Sequence, residues 1–265
     1  MKKLSYPYFF WMIIFIVIPL FLIIFISFTD ENSSFTLANY ARTLEPAYLK
    51  VMYKSVKLSA ISTIICFFVS YPAAYILSTK NYVNKKILLF TIVAPMWINF
   101  LLRTYAWLTI LENNGILNET LAFFGFSKQQ LLYTDGAVLL GMVYNFLPFM
   151  ILPIYNSLIK IDKNLLFASQ DLGANSFQTF TKVVFPLTIS GVISGITMVF
   201  MPALTTFIIP ELLGGGQYFL IGNLIEQQFL KSNNWNFGAA LSLNLFIFIV
   251  LFMFVSNEDD GGSIL

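Results

Sequence analysis

Six stretches of about twenty residues, near 8–28, 56–78, 87–111, 136–158, 187–209 and 237–256, are apolar enough and long enough to cross the ~30 Å hydrocarbon core of a bilayer as helices. Inside a bilayer every backbone N–H and C=O must be paired within the protein, and a helix pairs its own. The pattern predicts an all-α membrane protein with six transmembrane helices in a single domain over residues 1–265. Composition agrees. The chain is 58% hydrophobic and 11% charged, against about 25% charged in soluble domains. Its mean hydropathy is +0.77.

The first stretch follows Lys2 and Lys3, as a signal peptide would. It is too long for an h-region and no A-x-A site follows it, so it reads as a retained anchor. Pro19, Pro72, Pro95, Pro148, Pro153 and Pro202 fall inside spans, where neighbouring helices can satisfy the carbonyls that proline frees. Orientation follows Lys and Arg in the short loops. With both termini in the cytoplasm, the inner segments hold Lys2, Lys3, Lys80, Lys85, Lys86, Lys160, Lys163 and Lys182. The outer loops hold Arg42, Lys50, Lys54, Lys57, Lys128 and Lys231. The net charge of +2 argues against nucleic acid as a partner. The lone Cys66 excludes an intrachain disulfide, and with no histidine the commonest general base and metal ligand is missing. No Gly-Lys dipeptide exists to build a Walker A loop, so any ATP would be hydrolysed by another subunit.

One loop, about 160–186, is polar and glycine-punctuated: "ASQDLGANSFQTFTKVVFPLTISG" runs from Ala168 to Gly191. Asp162 can cap a first short helix, with Leu165, Ala168 and Leu172 along one face. Gly173 has the freedom to close it in the left-handed region. Asn175 and Gln178 form a capping-box pattern for a second helix, with Phe177, Phe180 and Val184 on one face. Pro186 fits the first turn of the next span. A helix–Gly–helix hairpin with an apolar face can lie on lipid or dock in the groove of a soluble partner.

This segment resembles the EAA loop of ABC importer permeases, E-A-A-x-D-L-G-A followed by a spacer and F-x-x-V-x-x-P-L-x-x-x-G. The matching positions are Ala168, Asp171, Leu172, Gly173, Ala174, Phe180, Val183, Pro186, Leu187 and Gly191. Phe167 stands where the family has Glu, and Ser169 replaces the second Ala. Further stretches, "PMWINFLLRTYAWLTILENNGILN", "LPFMILPIYNSLIKIDKNLLFASQDLGA", "PELLGGGQYFLIGNLIEQQFL" and "NWNFGAALSL", are similar to the spermidine/putrescine permeases of that family. The resemblance implies a type I ABC importer permease fold in a bacterial cytoplasmic membrane. It implies that the loop is a coupling-helix pair touching an ATPase through Ala168, Asp171, Leu172, Gly173, Ala174, Phe177 and Phe180. It further implies two copies of that ATP-binding subunit, a second homologous permease and an extracytoplasmic polyamine-binding protein, with ATP-Mg used by the ATPase and no cofactor held by this chain.

A flexible polycation needs carboxylates at its entrance and aromatic faces along its path. Eight acids fall on the outer side in this topology: Asp30, Glu31, Glu45, Glu112, Glu119, Asp135, Glu211 and Glu226. In the third span, Pro95, Trp97 and Asn99 predict a broken, polar segment near the midplane, with Tyr105 one helical stretch further on. Trp97 either offers its face to ammonium groups or packs between helices. Glu112 and Glu211 are candidates for the cation's path, and the glycine run after Glu211 permits a tight turn. Arg103, the one charge well inside a span, would repel a cation and is expected to snorkel outward or to pair with Glu112 or Glu211. Competing readings are an ABC permease for an iron or sulfate species, a stand-alone secondary transporter, and an intramembrane enzyme. The spans contain no Asp or Glu well inside for ion coupling, and no paired carboxylates for catalysis.

Overall fold

A computed structural model of the protein describes residues 6–30, 32–79, 85–216 and 218–258. Lys2, Lys3, Glu31 and Lys80, which bear on orientation and charge, lie outside the described residues. Those described are helical apart from turns, loops and an isolated antiparallel bridge between Thr29 and Phe35.

In chain order the helices are α1 Tyr6–Ser27, α2 Ala38–Thr43, α3 Pro46–Thr79, α4 Lys85–Val93, α5 Phe100–Leu111, α6 Ile116–Phe123, α7 Asp135–Leu158, α8 Lys163–Asp171, α9 Ser176–Leu187, α10 Ile189–Thr205, α11 Ile208–Leu213, α12 Ile221–Leu230 and α13 Trp235–Glu258. Four of them, α1, α3, α7 and α13, are long and apolar enough to cross a membrane. The count reaches six when each of two bent pairs is taken as one span.

The first bent pair has its break at the Pro95–Asn99 segment where one is expected, and the second puts a bend at the start of the span expected at 187–209. In the first, Ile87–Trp97 meets Phe100–Phe123 at 91°. Ala94–Trp97 tightens into a 3₁₀ turn with Pro95 in it, and Ile98 and Asn99 are both extended (ψ 140° and 131°), so no i→i−4 ladder can cross them. In the second, Ser176–Leu187 meets Ile189–Thr205 at 62°. Pro186 therefore lies before the bend, not in the first turn of α10. Helix α3 starts ten residues before the expected span, with Pro46 as its first residue. Two π-turns, Ile13–Val17 and Phe180–Val184, each end two residues before a proline, Pro19 and Pro186. A wider turn there relieves the clash between a proline ring and the carbonyl four residues back.

The described residues form two compact units, one within 1–54 and 220–255 and one within 55–219 and 256–258. In the first, α13 is tied to the end of α1. Asn236 Nδ2 donates to the carbonyl and hydroxyl oxygens of Thr29 at 2.8 and 3.0 Å. The Arg42 guanidinium lies 4.1 Å over the Phe237 ring, a cation–π contact beside a fully buried aromatic.

The second unit is organised around α7 against α10. Small residues allow close approach between membrane helices. A Cβ built on Gly191 would lie 2.8 Å from the Pro153 carbonyl oxygen, and one on Gly195 2.7 Å from Met150 Sδ. Met142, Met150, Ile154, Val199 and Leu204 are fully buried in this region. Helix α3 joins through Cys66 Sγ, 3.8 Å from the Val143 carbonyl, and Ser70 Oγ, 3.5 Å from that of Leu147.

Candidate coupling hairpin and polar path residues

The hairpin forms as its local chemistry dictates. Asp162 accepts the Asn164 N–H at 2.9 Å and starts α8. Gly173 adopts φ +80°, donating its N–H to the Gln170 carbonyl at 2.8 Å while Ala174 N–H donates to Ser169 O. These bonds satisfy carbonyls that the helix end would otherwise leave open. Asn175 Oδ1 accepts the Gln178 N–H at 2.9 Å, and Gln178 Oε1 accepts the Asn175 N–H at 3.0 Å. Such reciprocal caps stabilise a helix start by ~1 kcal/mol.

Two contacts invisible in the pattern lock the hairpin. Ser169 gives its proton to the Leu166 carbonyl at 2.8 Å, so Thr179 is the donor in the 2.9 Å bond between the two hydroxyls. Both residues are buried. The Ser that replaces a family Ala is thus the peg between the two helices. At the 62° bend, Thr188 donates to the Val184 or Phe185 carbonyl, which makes Tyr71 the donor in their 2.8 Å bond. Phe180 packs edge-on against Tyr71 and Tyr75, and Phe185 joins them. The second hairpin helix is therefore fastened to α3 by hydroxyls and rings.

This arrangement corrects the expected shared face of Phe177, Phe180 and Val184. Val184 is buried and Phe180 half-buried, whereas Phe177 is 75% exposed. The aromatic cluster holds Phe180 inward, and the π-turn that begins at Phe180 shifts the register of the residues after it. The apolar face left outside comprises Leu165, Phe167, Ala168, Leu172 at 89% exposure, and Phe177. Burying Leu172 and Phe177 on a partner would stabilise a complex by ~1.5–3 kcal/mol each. Asp171 and Ala174 flank the turn, exposed and half-exposed. A cavity of about 420 Å³ lies between α8 and the ends of α3 and α7, with Lys163, Phe167 and Gln170 on its hairpin side.

The other expected site residues separate into distinct places. Trp97 is 80% exposed and touches Phe90 edge-on at 6.2 Å, beside the 91° break. Asn99 caps α5, its Oδ1 accepting the Leu101 N–H at 2.8 Å. Tyr105 is exposed on α5. Glu112 follows the last residue of α5 and lines a polar cleft. Glu211 sits in α11, which is followed by Gly214, Gly215 (φ +62°) and Gly216 (φ +71°), the tight turn the glycine run permits. Arg103 neither snorkels nor pairs with Glu112 or Glu211. Its Nε and Nη1 are buried without a hydrogen-bond partner among the described residues, and its guanidinium carbon lies 5.8 Å from the Phe100 ring. The packing of α5 beside α7, where Trp107 meets Tyr144, encloses that side of the helix. Among the described residues no group of His, Cys, Asp or Glu could hold a metal ion.

Residues 1–257 match the family described as binding-protein-dependent transport system inner membrane component. The chain is 42% identical over 253 residues to the spermidine/putrescine transport system permease protein PotB of Haemophilus influenzae, covering 92% of this chain and 88% of that protein. It is 40% identical to PotB of Escherichia coli, with 92% of each covered. Its fold is that of a chain in the crystal structure of a bacterial ABC transporter that imports the acidic polysaccharide alginate, with a TM-score of 0.86, 14% identity and coverage of 100% of this chain and 96% of that one. On its helices, its capped hairpin and these matches, the chain belongs to the binding-protein-dependent transport system inner membrane component family.

Proposed function

We propose that this chain is one of two permeases of an ABC importer for polyamines, forming half of the transmembrane path for spermidine and putrescine. Its main support is the identity to permeases named for those substrates along 92% of the chain. The importer comprises two copies of an ATP-binding subunit, a second homologous permease and an extracytoplasmic binding protein. ATP-Mg is used by the ATPase, and this chain holds no cofactor. Both termini lie in the cytoplasm, which puts the α8–α9 hairpin on the ATPase and Glu112 and Glu211 on the outer side.

The exposed Leu172 and Phe177 dock on the ATPase, and the Ser169–Thr179 and Tyr71–Thr188 bonds carry its movement into α10 and α3. Closure of the ATP-bound dimer shifts the population from inward-open to outward-open. An inside-negative potential favours cation entry by ~2.3 kcal/mol per charge per 100 mV. Radiolabelled spermidine and putrescine uptake should disappear when the chain is deleted from cells that lack another polyamine importer. Persistence of that uptake would remove the cargo assignment.

At the 91° break, the exposed face of Trp97 takes the ammonium groups and methylenes of the passing substrate, and Tyr105 continues the aromatic track. Trp97→Ala should lower uptake about two- to fivefold, the ~0.5–1 kcal/mol of one exposed cation–π contact. Normal uptake at normal expression would leave Trp97 as a packing residue beside Phe90.

A further inference from the structure

A cleft of about 300 Å³ is walled by Glu112, Asn113, Asn114, Gln130, Leu132 and Tyr133. Its lining offers one carboxylate, three carboxamides and one aromatic face, a set that can take an alkyl ammonium. Two braces hold it open. Asn118 is fully buried and uses both its donors there: Nδ2 donates to the Glu112 and Gln129 carbonyls at 3.2 and 2.9 Å, and Oδ1 accepts the Gln129 N–H at 3.0 Å. It thereby joins the Glu112 wall to the Gln130 wall. On the far side Tyr133 is held at φ +63°, a region that non-glycine residues rarely adopt. Its N–H donates to the Leu213 carbonyl at 2.9 Å, and its ring covers Gly215, where any Cβ would overlap it.

The electrostatics favour a cation. Glu112 stands one residue past the C-terminus of α5, where helix carbonyls add partial negative charge. Its carboxylate has no hydrogen bond or ion pair among the described residues. The nearby Lys128 ammonium sits instead on Asn114 Oδ1 at 2.8 Å. One amide oxygen of the lining, that of Asn114, thus already accepts an ammonium, while the carboxylate of the lining is uncommitted.

We infer that this cleft is a receiving site for the terminal primary ammonium of an aliphatic diamine or polyamine, held by Glu112 against the Tyr133 ring before it enters the path, an inference that rests on the polyamine assignment above. It lies about 18 Å of helix beyond the Asn99 break, counting 1.5 Å per residue along α5, and so is a station separate from Trp97. Lys128 competes for it.

The two charges predict opposite effects. Putrescine is titrated by saturation-transfer NMR onto the complete complex in nanodiscs, without binding protein, with 1,4-butanediol as the uncharged control. Glu112→Gln should weaken putrescine binding about tenfold, as loss of one charge-assisted contact implies. Lys128→Gln should tighten it about threefold by removing the resident ammonium. Neither should change the diol signal. Equal putrescine affinity in the wild type and both variants overturns the site, as does a parallel loss in both. The same complexes, reconstituted into sealed ATP-loaded liposomes with binding protein outside, are assayed for putrescine uptake. Wild-type uptake with unchanged Glu112→Gln binding refutes the cleft alone, whereas no wild-type polyamine uptake refutes the cargo and the cleft together.

Discussion

Gly173→Pro is expected to cut uptake more than about a hundredfold at equal amounts of assembled complex, a loss of ~2.7 kcal/mol or more in the transport cycle. Gly173 sits at φ +80°, and proline is confined to about −65°. Proline also lacks the N–H that bonds the Gln170 carbonyl at 2.8 Å. The chain must leave the hairpin turn, and α8 and α9 then lose the angle at which Ser169 meets Thr179. The cause is conformational and not steric, because a Cβ at Gly173 would meet nothing within 4 Å. Three variants form a graded series. Gly173→Asn should be mildest, since Asn tolerates the left-handed region. Gly173→Ala should be intermediate, costing ~1 kcal/mol, and Gly173→Pro most severe. Uptake measured in vesicles with quantified complex decides it. Proline and alanine variants of equal activity would remove the hairpin angle from the mechanism.

Gly191→Ala should destabilise the α7–α10 pair by ~2–3 kcal/mol, lowering the thermal midpoint of the purified chain by roughly 5–10 °C. The added Cβ would overlap Ser157 Oγ and lie 2.8 Å from the Pro153 carbonyl oxygen, a backbone atom that cannot swing aside. Gly195→Ala should cost less, because its nearest obstacle at 2.7 Å is the sulfur of the flexible Met150 side chain. Ser157→Ala placed on Gly191→Ala should recover part of the loss by removing Oγ. A detergent melt comparing the variants checks the order. A midpoint lower in Gly195→Ala than in Gly191→Ala would contradict the close packing at Gly191.

The amino-acid sequence by itself determined the parts of this protein that depend on near neighbours. Long apolar runs demand helices in lipid, so the spans are legible from hydropathy. Asp162, Gly173, Asn175 and Gln178 are assignable as caps and closing glycine, because each acts within four residues of itself. The turn at Gly214–Gly216 is legible for the same reason. Tertiary structure decided whatever needed a distant partner. Phe180 turns inward because Tyr71 and Tyr75, over a hundred positions away, receive it, and Tyr71 reaches Thr188 across 117 residues. Arg103 loses its expected carboxylate because α5 packs that side against α7. Ser169 is only a departure from a motif until Thr179 stands opposite it. Glu112 stands out in the sequence as a charge, but Asn118, Tyr133 and Gly215 make it part of a cleft only after the chain has brought four separate segments together. Periodicity and capping are local energies written in adjacent residues. Which side chain meets which across the bundle is settled by packing, where no single segment carries the information.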